Sequence, residues 1–339
     1  MYIPWHHSAF RYTGRWSNLD KRTDFEEEIP LMTQTTTPGA YLELAFTGNM
    51  ALLEFDLGFA IQPVPHLWIS LDGGHCFEVP LDRYLRIKAS DPGEHILKVL
   101  YKGGVEVWHR WYAPLLGVIS FRGVTVESPA ILPPDKRKII EFVGDSITEG
   151  VLVDEDYGSQ PGGLSGQLSR TYQDDNSATY AALVAEQLNL RAMFQAYGAV
   201  GVTHGGCGSV PRAGLIYPWV FDGVLYGGEK PDYVVLNHGV NDRRAEPTEF
   251  SMRYTELLEV IHACSPDAIL VCLTPFFGCF QQEIACCVEK YNSLHTRPAY
   301  FISSDGWISQ EPMHPLRTGH QIIANHLTAI LKNIIKIER

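Results

Sequence analysis

Lys138-Ile139-Ile140-Glu141-Phe142-Val143-Gly144-Asp145-Ser146-Ile147-Thr148-Glu149-Gly150, residues 138–150, is the stretch whose reading decides the fold. An apolar, β-branched run ends in Gly-Asp and a hydroxyl residue follows, the pattern of a buried parallel strand that stops at a tight turn and opens a helix. A serine there holds its Oγ at the carboxyl end of a sheet, where open α/β sheets place their ligands. Its own N–H sits at the positive end of a helix and suits a developing oxyanion. The plainer alternative is a Ser that only caps the helix.

Three downstream clusters favour the chemical reading. Gly198-Ala199-Val200-Gly201-Val202-Thr203 follows the apolar run 191–197, and Gly239-Val240-Asn241-Asp242 follows a second buried-strand pattern, 233–238. Glu311-Pro312-Met313-His314-Pro315 comes last, before Gly319-His320 and an amphipathic stretch. Gly-Asp-Ser, then Gly, then Gly-x-Asn-Asp, then acid-x-x-His-Pro resembles the SGNH (GDSL) hydrolase family, with all four blocks in order over residues 138–335.

Composition narrows the field further. The 339 residues suffice for two domains with sizeable cores. A hydrophobic share of 45% and a charged share of 19% describe a soluble globular chain. The net charge of −12 argues against nucleic acid or an anionic membrane as a partner and suits a neutral substrate such as a sugar ester. No apolar run approaches the roughly 18 residues that span a bilayer. The N-terminus lacks the basic start and apolar core of a secretory signal. Seven scattered cysteines without Cys-x-x-Cys or other metal-ligand spacing read as reduced thiols in a cytoplasmic protein that needs no metal or organic cofactor. Oligomeric state is not readable here.

Residues 1–130 carry short alternating or apolar runs at 40–47, 51–57, 67–71, 95–101 and 117–127, separated by turn signals such as Asp72-Gly73-Gly74 and Lys102-Gly103-Gly104. That spacing predicts an antiparallel β-sandwich. Proline-rich 131–137 reads as a linker, and 138–339 as a parallel α/β domain. Helices are expected at 177–190 (Ser177 as a cap), 248–264, 281–294 and 317–335, and strands at 268–274 and 299–303. Right-handed crossovers then bring the four blocks to one edge of the sheet.

A sandwich before an SGNH domain, with Phe10-Arg11-Tyr12-Thr13-Gly14-Arg15-Trp16, Pro38-Gly39-Ala40 and Phe121-Arg122-Gly123, resembles the jelly-roll domain of two-domain carbohydrate O-acetylesterases of carbohydrate esterase family 2. The chain departs from that pattern where Glu149-Gly150-Val151 replaces Cys-Gly-Tyr-Gly, and in a Gly/Ser-rich insertion over 157–168 that could form a rim over the site. A sister family of polysaccharide deacetylases is an equal match.

The resemblance implies Ser146 as nucleophile and His314 as the base that takes its proton and returns it to the leaving hydroxyl. Glu311, three residues before the His, occupies the orienting acid's position; Asp305 and a backbone carbonyl are rivals for that role. The oxyanion hole would comprise the Ser146 N–H, the Gly201 N–H (with Gly198 a competitor) and the Asn241 amide. Asp145 and Asp242 are expected to satisfy backbone N–H groups of their turns. Glu149, His204, His238 and His320 lie near the active edge, with His320 read as facing its helix neighbours. Tyr217, Trp219, Tyr226 and Trp307 are available as sugar platforms.

The implied activity is removal of O-acetyl groups from an oligosaccharide. A short-chain lipase or acyl-thioesterase uses the same blocks, and a sugar-binding protein with an inactive hydrolase domain is the reading from another class. Retention of Ser146, Asn241 and His314 argues against the last.

Overall fold

The computed structural model describes residues 1–21, 30–154 and 167–337. The first of its two layered units is a sandwich of two antiparallel sheets. One sheet runs Tyr2–Pro4, Ile119–Thr125, Met50–Phe55, Tyr84–Lys88, with Thr33–Thr35 also paired to Ile119–Thr125. The other runs Ser128–Pro129, Tyr41–Thr47, Glu94–Gly103, His66–Leu71, Phe77–Pro80, with Phe10–Thr13 joined to Tyr41–Thr47. Leu42, Leu44, Phe46, Leu53, Leu97 and Phe121 fill the space between the sheets. The five runs expected from the sequence are all strands. Six further strands were not expected: most, such as Thr33–Thr35, are too brief to show an alternating pattern, and Tyr84–Lys88 is a five-residue strand that the reading missed.

No helix or strand is assigned between Pro129 and Ile139, where the second unit begins. Its five strands are all parallel, in the spatial order Arg191–Ala196, Ile139–Gly144, Tyr233–Asn237, Ile269–Leu273, Ala299–Ile302. Both faces of the sheet are covered by helices, so these strands are apolar without alternation. Ile139–Gly144 is buried at every position. The chain winds outward in both directions from that strand, which places the topological switch point at its carboxyl end.

Helices Pro247–Cys264, Gln281–Leu294 and Arg317–Ile337 match expectation within two residues. The helix expected from 177 starts later. Asp175 caps a 3-10 turn over Asn176–Ala178 by accepting from the Ser177 N–H, and Thr179 then caps Tyr180–Gln187 through the Ala182 N–H. The insertion at 157–168 lies outside the described residues, except that 167 and 168 open the helix Gln167–Gln173.

Polar groups bind the two units together. The Arg15 guanidinium and the Glu141 carboxylate, both fully buried, meet at 2.8 Å. Tyr217 donates its hydroxyl to the same carboxylate at 2.7 Å. The Lys102 ammonium donates to the backbone carbonyls of Thr171, Tyr172 and Asp174 at 2.9–3.0 Å. The Tyr197 hydroxyl lies 3.0 Å from Thr36 Oγ1 and 2.9 Å from Thr37 Oγ1. A single charge inside an otherwise apolar strand, as at Glu141, is the sequence signal for such a partner, because a lone buried carboxylate is costly.

Candidate active site

Strand Ile139–Gly144 ends at the switch point and Ser146–Glu149 forms one helical turn directly after it. Asp145 caps that turn, its Oδ1 accepting from the Ile147 N–H at 3.0 Å. Gly144 leaves no room for a side chain, since a Cβ there would lie 2.2 Å from Thr148 Oγ1. The strand can therefore turn tightly into the helix only with glycine at this point.

Ser146 is buried, and its Oγ lies 3.0 Å from Nε2 of His314. Residues 168 positions apart are thus within proton-transfer distance. His314 sits in the segment before helix Arg317–Ile337, half-buried and open to the site. Glu311 is exposed, and its backbone N–H donates to Ser309 Oγ. Among the described residues no hydrogen bond or ion pair joins the Glu311 or Asp305 carboxylate to His314. An acid orients an imidazole through such a bond; the structure brings Ser146 and His314 together, and the group that orients His314 stays an expectation.

The expected oxyanion donors are placed unequally. Asn241, after the adjacent strand Tyr233–Asn237, donates one amide proton to the Val200 carbonyl at 3.1 Å. A carboxamide nitrogen carries two protons, so this bond fixes the side chain and leaves the second proton for a ligand. The Gly201 N–H donates to the His204 carbonyl at 3.1 Å, so its donor is used within its own loop. Glycine is required at 201 for a different reason: a Cβ would lie 2.5 Å from Asp242 Oδ1. Gly198 donates its N–H to the Glu149 carboxylate.

Asp242 does not serve its own turn. Its carboxylate accepts from the Val202 N–H at 3.0 Å and from the N–H and hydroxyl of Thr203, clamping the 198–203 loop to the 239–242 loop. Asp145 is fully buried with Oδ2 unpartnered; burial, reinforced by the charges of Asp242 and Glu149, pushes its carboxyl up to about 7. His238 is buried and held neutral, pushed down to about 4 by desolvation. His320 accepts the Tyr180 N–H at its Nδ1 (3.0 Å) and stacks on the Tyr180 ring. Burial, then the charges of His314 and Arg317, push it down to about 3.

Glu149 supports this site from beneath. It is fully buried and paired with Arg110, which reaches in from the sandwich segment between Glu94–Gly103 and Ile119–Thr125. Arg110 also donates its backbone N–H to Gly208 at 3.1 Å and lies over the Tyr197 ring. Burial raises the Glu149 carboxyl above its usual range, and the guanidinium opposes that rise. Sequence reading missed Arg110, although an arginine inside Trp108-His109-Arg110-Trp111 is the kind of flanking that marks a buried cation.

The proposed sugar platforms resolve differently. Tyr217 and Tyr226 enclose the Arg15 guanidinium at 4.7 and 4.9 Å in the interdomain core, and Trp307 stacks on His326. Trp219 packs against the core of the parallel domain. Among the described residues no group of three or more His, Cys, Asp and Glu side chains is arranged to hold a metal ion.

Residues 142–322, which include Ser146, Asn241 and His314, match the GDSL-like lipase/acylhydrolase family. The chain belongs to that family. A curated relative, the cellulase/esterase CelE of Acetivibrio thermocellus, is 32% identical over 248 residues. That match takes in 67% of this chain but only 29% of the relative's length.

Solved structures share the whole two-unit fold. A family two carbohydrate esterase from Clostridium thermocellum, solved with cellohexaose, has a TM-score of 0.73 at 23% identity, covering 96% of this chain and 99% of that one. A family two carbohydrate esterase from Cellvibrio japonicus gives 0.77 at 17% identity over 100% and 99%. An acetyl xylan esterase from Butyrivibrio proteoclasticus gives 0.74 at 17% identity over 99% and 99%. At these identities the likeness concerns the fold: an antiparallel sandwich followed by a parallel-sheet hydrolase domain.

Proposed function

We propose that this GDSL-family protein is a serine esterase that removes O-acetyl groups from an oligosaccharide. The observation that carries the reading is the 3.0 Å contact between His314 Nε2 and Ser146 Oγ at the switch point of the sheet. In the mechanism, His314 accepts the Ser146 proton as Oγ attacks the acetyl carbonyl. The carbonyl oxygen becomes an oxyanion held by the second amide proton of Asn241 and by the Ser146 N–H. Collapse breaks the bond to the sugar oxygen, which takes the proton from His314 and leaves as a hydroxyl, and the acetyl group remains on Ser146. Water, deprotonated by His314, then releases acetate and restores the serine.

Gly201 can add a third donor only if its N–H turns from the His204 carbonyl toward the oxyanion. No metal or organic cofactor enters these steps. Support for a sugar as the alcohol comes from the likeness to CelE and to family two carbohydrate esterases.

The test is acetate release from acetylated xylo- and manno-oligosaccharides, with Ser146→Ala beside the parent protein. Release that disappears in Ser146→Ala is the expected result. Glu311→Ala, lacking only an exposed carboxylate, is expected to keep most of the activity. Hydrolysis of p-nitrophenyl acetate without acetate from any sugar would overturn the choice of substrate and point to lipid or thioester chemistry.

A further inference from the structure

A cavity of about 810 Å³ opens beside Asn241 and is lined by Thr203, His204, Arg243, Arg244 and Glu249. Ser146 and His314 do not line it, so it extends the site past the oxyanion residue instead of duplicating the reacting centre. Its charge is opposite to that of the chain as a whole, which carries 39 acidic against 27 basic side chains. Arg243 and Arg244 are exposed, and among the described residues neither guanidinium makes an ion pair or hydrogen bond.

The surroundings of His204 favour a third positive charge. Its Nδ1 is bonded to the Gly205 carbonyl at 2.8 Å and its Nε2 to the Asn241 carbonyl at 3.1 Å. A carbonyl oxygen only accepts, so this geometry favours the ring with protons on both nitrogens, the imidazolium. The same two carbonyls, Gly205 first and Asn241 after the opposing effect of burial, raise its proton affinity. Two carboxylates also line the cavity: Asp242, whose oxygens are taken up by Val202 and Thr203, and Glu249, which is exposed.

Two unengaged arginines and an imidazolium around a polar cavity form a receptor for a planar anion, because a guanidinium binds a carboxylate through two parallel N–H···O bonds. We propose that this cavity is a subsite for the carboxylate of an acidic sugar, so that the esterified oligosaccharide carries a uronic acid residue next to the acetylated position. The inference rests on the esterase reading for the identity of the chain bearing the carboxylate. It departs from the expectation from net charge, which pointed to a neutral substrate.

The test uses Ser146→Ala protein and needs no turnover. A xylo-oligosaccharide with a glucuronic acid branch and a neutral one of the same length, both without acetyl groups, are titrated by calorimetry at low salt. The acidic sugar is expected to bind about tenfold more tightly, the low end for charge-assisted hydrogen bonds at an exposed site. The difference shrinks on adding salt. Placing Arg243→Gln and Arg244→Gln together in the same protein removes the preference while leaving the neutral sugar's affinity in place.

Equal affinity for the two sugars, no binding of the acidic one, or a preference that survives the double substitution overturns the proposal. Inorganic phosphate that displaces the acidic sugar as well as free glucuronate does overturns the assignment to a carboxylate. Failure of the esterase reading is seen separately, as absence of acetate release, and does not alter the titration.

Discussion

Asn241 is held by one of its amide protons and free to use the other, which is the arrangement a preorganised donor requires. Loss of one such donor typically costs about 2.7–4 kcal/mol of transition-state stabilisation. Asn241→Ala is therefore expected to lose on the order of a hundredfold or more in kcat, with the thermal melt nearly unchanged; a loss of a few-fold would remove Asn241 from the oxyanion hole. His320 sets a pH limit of another kind. It is neutral in the folded protein, its proton affinity lowered to about 3, and unperturbed when unfolded. A group with a lowered folded value contributes stability that is present above about pH 6.5 and is lost as the pH falls toward 3. Between those limits the unfolded chain binds one more proton at this position, giving a slope of about 1.4 kcal/mol per pH unit. Denaturant unfolding of His320→Gln, in which the amide oxygen can still accept the Tyr180 N–H, should show a slope shallower by about that amount. Identical slopes would place the acid sensitivity in other groups, such as His238.

At the scale of elements, the turn Ser146–Glu149 depends on a segment from the other half of the chain. Arg110 fixes Glu149, Glu149 accepts the Gly198 N–H, and the nucleophile lies one turn away on the same four-residue helix. Removing one partner of a buried ion pair typically costs about 3–5 kcal/mol, whereas replacing both can be near neutral. Arg110→Met should accordingly lower the unfolding free energy by that amount and reduce kcat more than it raises KM. Adding Glu149→Gln should recover much of the stability; a double variant no better than the single one would mean that the pair is not what Arg110 supplies. These relationships mark where sequence reading ran out. The strand before Ser146 and the long helices were legible because burial and helical periodicity are local signals. The start of Tyr180–Gln187 was not, because Asp175 and Thr179 both compete to cap and only packing decides between them. Gly201 was legible as a necessary glycine, but its crowding against Asp242 from another loop was not. Glu311 was placed by analogy of spacing alone, and spacing does not determine which way an exposed side chain points.

For the molecule as a whole, the parallel character of the second sheet could be anticipated, since strands alternating with helices imply it. The union of the two halves could not, because it rests on single charges whose partners lie far away in sequence: Arg15 with Glu141, Lys102 with three carbonyls, Arg110 with Glu149. A fragment spanning 138–339 would retain Glu141 and Glu149 without their cations and expose the Tyr197 hydroxyl and the carbonyls that Lys102 serves. It is expected to lack fixed tertiary structure by near-ultraviolet circular dichroism and to hydrolyse no ester; a rigid, active fragment would show that the sandwich is dispensable. Arg110 also makes enzymatic activity a clock for assembly. Until the sandwich docks during refolding, the nucleophile turn has no counter-charge for Glu149. Recovery of hydrolysis after dilution from denaturant should therefore time the docking of the two halves, not the completion of either.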